Sequence, residues 1–334
     1  MRLTLFLQSP AGVALRYVCS AALLGWMASR VDWHALGALH RLEVGYLLPA
    51  ALLAGLAYPL QAWRWHGLLH ALGTDLPARW IHAVTWIGQF YSAFLPGGVA
   101  GDAVRFGYLW RARPDRKAAG AASLLADRLL GLAALFGLAA FALALHGRDT
   151  DELDQLLGVS LAGAALLFVG GWSLARTRWW QPLSTRLLGA DRAATLHETT
   201  LALGRQPGAL AAAVGLSIAV WLVDFASLWF LARAVGLALH PLTLTVVAAA
   251  AYVAASLPVS IGGHGVREGA LVVTLGWLGH PAASTPDLPL LVAGFWAVSV
   301  GWSAVGGIVY AASQFTGGLS RPAPPSAPPP AAGG

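Results

Sequence analysis

Apolar residues occur along this chain in long unbroken stretches, at about 13–29, 44–61, 83–101, 118–145, 156–175, 209–232, 240–258, 268–279 and 288–312. A helix crosses a hydrocarbon core of roughly 30 Å with about 17–25 apolar residues. Most of these stretches are long enough, but they cannot all be full crossings. Positive charge sets the orientation, because Arg-rich short loops stay cytoplasmic. Arg111, Arg113, Arg116 and Lys117 place 111–117 inside, and Arg176, Arg178, Arg186, Arg192 and Arg205 do the same for 176–205. Between them Asp149, Asp151, Glu152 and Asp154 place 146–154 outside.

Worked outward from these anchors, the N-terminal segment is inside, 30–43 is outside, and 62–80, with Arg64 and Arg79, is again inside. Residues 83–110 then start and end on the cytoplasmic side but are too few for two full spans. A re-entrant hairpin broken at Leu95-Pro96-Gly97-Gly98 satisfies both requirements. The same parity argument applies to 240–280, broken at Leu257-Pro258, with the sides exchanged. There, two short full crossings fit the charges equally well. In either case the C-terminus is expected inside.

The two breaks are similar: LPGGVAGDAVR at 95–105 and LPVSIGGHGVR at 257–267. Leu, Pro, the seventh-position Gly, Val and Arg coincide. The predicted fold is an all-α polytopic membrane protein with about six full spans and two broken hairpins in an inverted repeat. The halves cover about 1–150 and 151–315 of a single domain spanning 1–320. In such repeats half-helix N-termini with unpaired N–H groups face anionic substrate groups near the midplane. Non-helical backbone at that depth needs protein or water around it, which predicts one polar site built from both motifs.

Composition agrees with this reading. The chain is 57% hydrophobic and 11% charged, where a soluble domain carries about 25% charged residues. Its net charge of +6 comes almost wholly from Arg, with Lys117 the only Lys, and that bias points to genome composition rather than nucleic-acid binding. Cys19 stands alone, so neither an internal disulfide nor a Cys-based metal site is expected. The run 13–29 has no small-residue cleavage site after it and reads as a retained span. The tail 321–334, RPAPPSAPPPAAGG, reads as a disordered cytoplasmic segment.

The candidate chemistry follows from the cost of burying charge, which for Arg in a membrane is about 2.5–3.5 kcal/mol even on lenient scales. Arg105 and Arg267 occupy the same place in both motifs, and guanidinium forks suit phosphate. Pairing with Asp102 and Glu268 to hold the fold is the plainer role for them. The candidate binding set is Arg105, Arg267 and Asp102 with Gly97, Gly98, Gly101, Gly262 and Gly263. Asp102 follows the glycines where a helix N-cap would sit. His264 and Glu268 are candidate proton carriers. Ser123, Asp127 and Gly131 share a helix face, with Asp127 facing inward and Arg128 either lining the cavity or snorkelling. Asp224, deep in AVWLVDFASLWFL, is either functional or a partner in a structural hydrogen bond. Trp63-Arg64-Trp65 and Trp179-Trp180 fit an interfacial aromatic belt. Walker loops, zinc-ligand clusters, Gly-x-Ser-x-Gly elbows and nucleotide fingerprints do not occur, so no cofactor or metal is expected.

These motifs resemble the flippase-like membrane domain of lysylphosphatidylglycerol synthases. The likeness rests on Arg64-Trp65 with Leu68-Leu69, Phe94-Leu95-Pro96-Gly97 through Gly101-Asp102 and Arg105, Ser123 with Asp127-Arg128-Leu129, and Leu257-Pro258 through Gly262-Gly263 with Gly265 and Glu268. It departs at Ser92 and Ala100, where relatives often carry Asn and Gly. The resemblance implies lipid translocation by a stand-alone member without the aminoacyl-transferase domain, in a bacterial inner membrane with both termini cytoplasmic. The substrate expected is an anionic phospholipid, or an isoprenoid-linked or hopanoid-type lipid, with lipid-biosynthetic membrane enzymes as further candidate partners. The rival reading is a membrane-embedded enzyme or enzyme partner in lipid modification. Asp102, Asp127 and Glu268 supply acids for it, but the Arg-rich loop 176–208 has no donor motif, so a non-enzymatic transporter is favoured.

Overall fold

A computed structural model of the chain describes residues 42–94, 100–146, 151–176, 181–256, 263 and 265–316. The expected span at 13–29, Cys19, Gly97, Gly98, Gly262, His264, Trp179-Trp180 and the Pro-rich tail lie outside them. Every regular element among the described residues is helical. Five helices are long and apolar enough to cross a membrane. These are α1 (Val44–Ala71), α4 (Lys117–His146), α5 (Asp151–Arg176), α8 (Pro207–Ala234) and α11 (Leu288–Thr316). At 1.5 Å per residue, the 28 residues of α1 extend about 42 Å, more than the hydrocarbon thickness. The chain is an all-α, multi-pass membrane protein.

Four shorter helices form two hairpins. α2 (Ala78–Phe94) packs on α3 (Ala100–Ala112), and α9 (Pro241–Ala255) packs on α10 (Val266–Trp277). Their 17, 13, 15 and 12 residues reach about 18–26 Å, well short of the length of α1.

The second motif begins 162 residues after the first, at 257 against 95, and this interval also relates the helices. Shifted by 162, α1 becomes 206–233, against Pro207–Ala234 for α8, and α2 becomes 240–256, against Pro241–Ala255 for α9. α1 and α8 end alike, on Gly73 and Gly236 with φ of 67° and 79°. Each glycine donates its N–H back to the last turn, to His70 O and Arg233 O, a left-handed cap that glycine adopts without steric cost. Packing is reciprocal as well: α4 lies against α9, and its counterpart α11 lies against α2.

The halves are inverted relative to each other. Along the α1–α8 interface Glu43 N donates to Ala234 O at 3.0 Å, Ser227 Oγ to Ala50 O at 2.8 Å and Arg64 Nη1 to Ser217 Oγ at 2.9 Å. Residue numbers rise along one helix as they fall along the other, so the two equivalent helices run antiparallel.

Close approach explains the seventh-position glycine of each motif. A Cβ on Gly101 would lie 2.1 Å from Ser92 Oγ and 2.3 Å from Gly88 O; one on Gly263 would lie 2.7 Å from Ala255 Cβ. In both hairpins that glycine is where the arms touch.

Residues 62–71, expected on the cytoplasmic side, are the last turns of α1, and Arg64 and Trp65 find partners inside the protein. Residues 181–204 form α6 (Gln181–Leu188) and α7 (Ala190–Gly204), with α7 packed on α4 and α5. The outer surface is apolar: Leu48, Phe141, Leu166, Phe168 and Ile308 are all more than half exposed. That is the pattern expected of a face in contact with lipid.

Candidate functional site

The first cluster of polar groups is built on Asp127. One turn apart on α4, Ser123, Asp127 and Gly131 face inward, as their spacing predicts. Asp127 Oδ1 accepts Arg64 Nε at 2.6 Å, and Oδ2 accepts Arg105 Nη1 at 3.1 Å. Trp65 Nε1 donates to Ser123 Oγ at 3.1 Å, and Trp221 Nε1 donates to Gly131 O at 2.8 Å. Asp102 joins the network by accepting Arg105 Nη1 at 3.2 Å and Arg128 Nε. Arg64, Arg105 and Asp127 are 7, 7 and 4% exposed. Asp127 lies ten residues into α4, about 15 Å from its end, and burial at that depth requires the pairing seen.

Arg105 is incompletely satisfied. Its Nη1 serves both aspartates and its guanidinium lies 4.2 Å over the Trp65 ring. Its Nε and Nη2 are buried without a hydrogen-bond partner among the described residues. The described bonds join the guanidinium groups of Arg64, Arg105 and Arg128 to the carboxylates of Asp102 and Asp127.

The second cluster surrounds a cavity of about 170 Å³ between the halves. α1 contributes Tyr58 and Gln61, α2 Gln89 and Ser92, α8 Asp224, α9 Tyr252, α10 Arg267 and α11 Ser299. Arg267 gives Nε and Nη2 to Glu268 Oε1 at 3.0 and 2.6 Å, and Nη1 to Ser299 Oγ at 3.1 Å. Its guanidinium stacks 4.1 Å from the Phe295 ring. Glu268 Oε2 accepts Gly265 N–H at 2.8 Å, which fixes the first turn of α10.

A comparison with known families follows the same architecture. A family model described as the lysylphosphatidylglycerol synthase TM region matches residues 13–312. The chain belongs to this family. Members are membrane proteins tied to lipid modification or transport, and both clusters lie within the matched region of this one. No curated protein matches the chain at the threshold applied.

Among the described residues Arg105 and Arg267 share no hydrogen-bond partner: each is taken up by the helix that follows its own hairpin, at Asp127 on α4 and Ser299 on α11, while Gly97, Gly98 and Gly262 of the expected shared site lie outside the described residues. Asp102 is not an N-cap; it lies in the first turn of α3 and binds arginines. Arg64 and Trp65 are core residues, while Trp63 is 50% exposed. Gly101 and Gly263 have a packing role between hairpin arms.

Ser217, Ser299, Tyr58 and Tyr252 were not singled out in the sequence. Small hydroxyl residues are common in membrane helices, and only a long-range partner separates these from the rest.

On the other side of α4 is an apolar groove of about 430 Å³, lined by Ala122, Ala126 and Leu129 together with Phe168 of α5, Leu203 of α7 and Leu210 of α8. Its size falls in the range of ligand pockets, about 300–1,000 Å³. One helix thus separates a charged network from an apolar groove.

Proposed function

We propose that this protein moves an anionic lipid across a bacterial inner membrane as a non-enzymatic flippase or scramblase, with both termini cytoplasmic and both hairpins re-entrant. The observation that carries the proposal is Arg105, with two buried donors lacking a hydrogen-bond partner among the described residues. Buried donors in native proteins are nearly always satisfied, and a phosphate oxygen satisfies a guanidinium at two points. The apolar groove behind α4 supports the reading, because a lipid brings acyl chains along with its head group. In the proposed path the head group passes between the halves while the chains stay in contact with apolar surface. Arg64 and Asp102 orient the Asp127–Arg105 pair.

The test is dithionite quenching of a fluorescent anionic phospholipid in proteoliposomes. Wild type is expected to quench more than the outer-leaflet half, and Arg105→Ala to lose the excess while keeping its far-UV circular dichroism. Equal quenching in protein-free vesicles, or an excess untouched by Arg105→Ala, refutes the assignment.

A further inference from the structure

The cavity between the halves holds an acid that anion binding does not use. Asp224 lies on the cavity wall together with Tyr58, Tyr252 and Arg267. The charges here do not pair off as they do around Asp127, which is bonded by two arginines. The only guanidinium on this wall among the described residues, that of Arg267, is already held by Glu268 through two N–H groups and by Ser299 through a third. Glu268 has both oxygens committed, one to Arg267 and one to the Gly265 N–H, and it is 1% exposed and absent from the cavity lining. Glu268 is therefore a structural acid that fixes the hairpin.

Asp224 is then a second carboxylate against one guanidinium, in a space reached by water-sized molecules and enclosed by both halves. The titratable and charged groups facing it among the described residues are Tyr58 of α1, Tyr252 of α9 and Arg267 of α10, with Glu268 behind Arg267. α2 and α11 present neutral groups, including Gln89, Ser92, Ser299 and Ser303. An ionised carboxylate without a cation of its own is costly in a low-dielectric interior and is relieved by taking a proton. Intramembrane acids placed in this way serve as proton relays in pumps and transporters.

We propose that the central cavity is a proton-binding site in which Asp224 takes a proton from cavity water and returns it to water, coupling proton flow to the lipid movement proposed above. The proton bonds to a carboxylate oxygen, with Tyr58 and Tyr252 on the same cavity wall. Arg267 and Glu268 remain paired throughout, so the net charge of the cavity alternates between one negative charge and none. The coupling rests on the transport reading; proton binding does not.

Infrared difference spectra of the full chain in lipid bilayers, recorded between alkaline and acidic buffer, test the binding step alone. The expected result is a carboxylic-acid C=O band present in wild type and missing from Asp224→Asn. The same band should be displaced in its pH midpoint, rather than lost, in Asp224→Glu and Tyr252→Phe. A wild-type spectrum that Asp224→Asn reproduces in full overturns the proposal. Asp224→Glu and Tyr252→Phe keep the test open if the asparagine variant does not fold, and unchanged midpoints in both would overturn it too.

Coupling is read separately, by lipid quenching in proteoliposomes with and without a pH gradient. Wild type should respond to the gradient, and Asp224→Asn should lose that response. Wild type that moves lipid at a rate indifferent to the gradient overturns coupling and leaves transport standing. Wild type that moves no lipid under either condition overturns transport and coupling, while the infrared result still decides the proton site.

Discussion

Replacing Asp127 with Asn removes one negative charge from the centre of the first cluster and leaves its shape intact. Both carboxylate oxygens are in use, at 2.6 Å to Arg64 Nε and 3.1 Å to Arg105 Nη1, and the residue is 4% exposed. Asn offers one acceptor, so at most one arginine keeps its bond, and the amide N–H2 would confront the other. Removing one partner of a buried ion pair costs about 3–5 kcal/mol, because the remaining charge is left buried. Arg64 retains Ser217 and Arg105 retains Asp102, so the loss should fall near the lower end, about 3 kcal/mol, or a factor of about 10² in the folding equilibrium. Reversible unfolding in mixed detergent and lipid micelles, followed by far-UV circular dichroism, measures it.

Arg64→Met should also destabilise the protein, and the double variant Arg64→Met with Asp127→Asn should be more stable than the two losses added together, since each change removes the charge stranded by the other. A coupling of about 1–3 kcal/mol is expected for residues sharing one network. A loss for Asp127→Asn within about 0.5 kcal/mol of zero, the range of ordinary surface changes, or strict additivity in the double variant, would refute the view that this pair holds α1 to α4.

Other outcomes follow from the same contacts. Gly101→Ala should cost about 1–3 kcal/mol, as overpacking does, because its methyl would fall 2.1 Å from Ser92 Oγ; Gly107→Ala on the same helix, with open space around it, should be neutral or slightly stabilising in the same unfolding assay. Ser123→Ala should cost about 1–3 kcal/mol by leaving the buried Trp65 Nε1 unsatisfied, and Trp65→Phe in the same background should recover part of it. In a Cys19→Ser background, single cysteines at Asp115, between α3 and α4, and at Ser284, between α10 and α11, should react with impermeant maleimide from opposite sides of the membrane; labelling from the same side would contradict the inverted arrangement. The bidentate bond from Arg113 holds the Asp115 carboxyl below its usual range, so Arg113→Ala should raise its titration midpoint in a carbon-detected NMR titration.

Hydropathy and charge by themselves determined the class of this protein, the positions of its long helices and the repeat. These are one-dimensional properties: a span is a length of apolar chain, and a duplicated half repeats its glycines, proline and arginine at a fixed interval. The inward face of α4 was legible for the same reason, since Ser123, Asp127 and Gly131 are spaced at one helical turn. The sequence did not contain the partners. Arg64 reads as an interfacial residue until a carboxylate 63 positions away and a serine 153 positions away are brought to it, and helix ends that polarity seemed to mark are overridden by those bonds. Nor could similarity between the motifs tell one shared site from two. That depended on which helix packs behind each hairpin, and it placed an aspartate there in one half and a serine in the other. Repetition in sequence made the two arginines equivalent, and tertiary packing gave them different surroundings: one with two buried donors lacking a partner among the described residues, the other on a cavity wall with one more acid than it can neutralise.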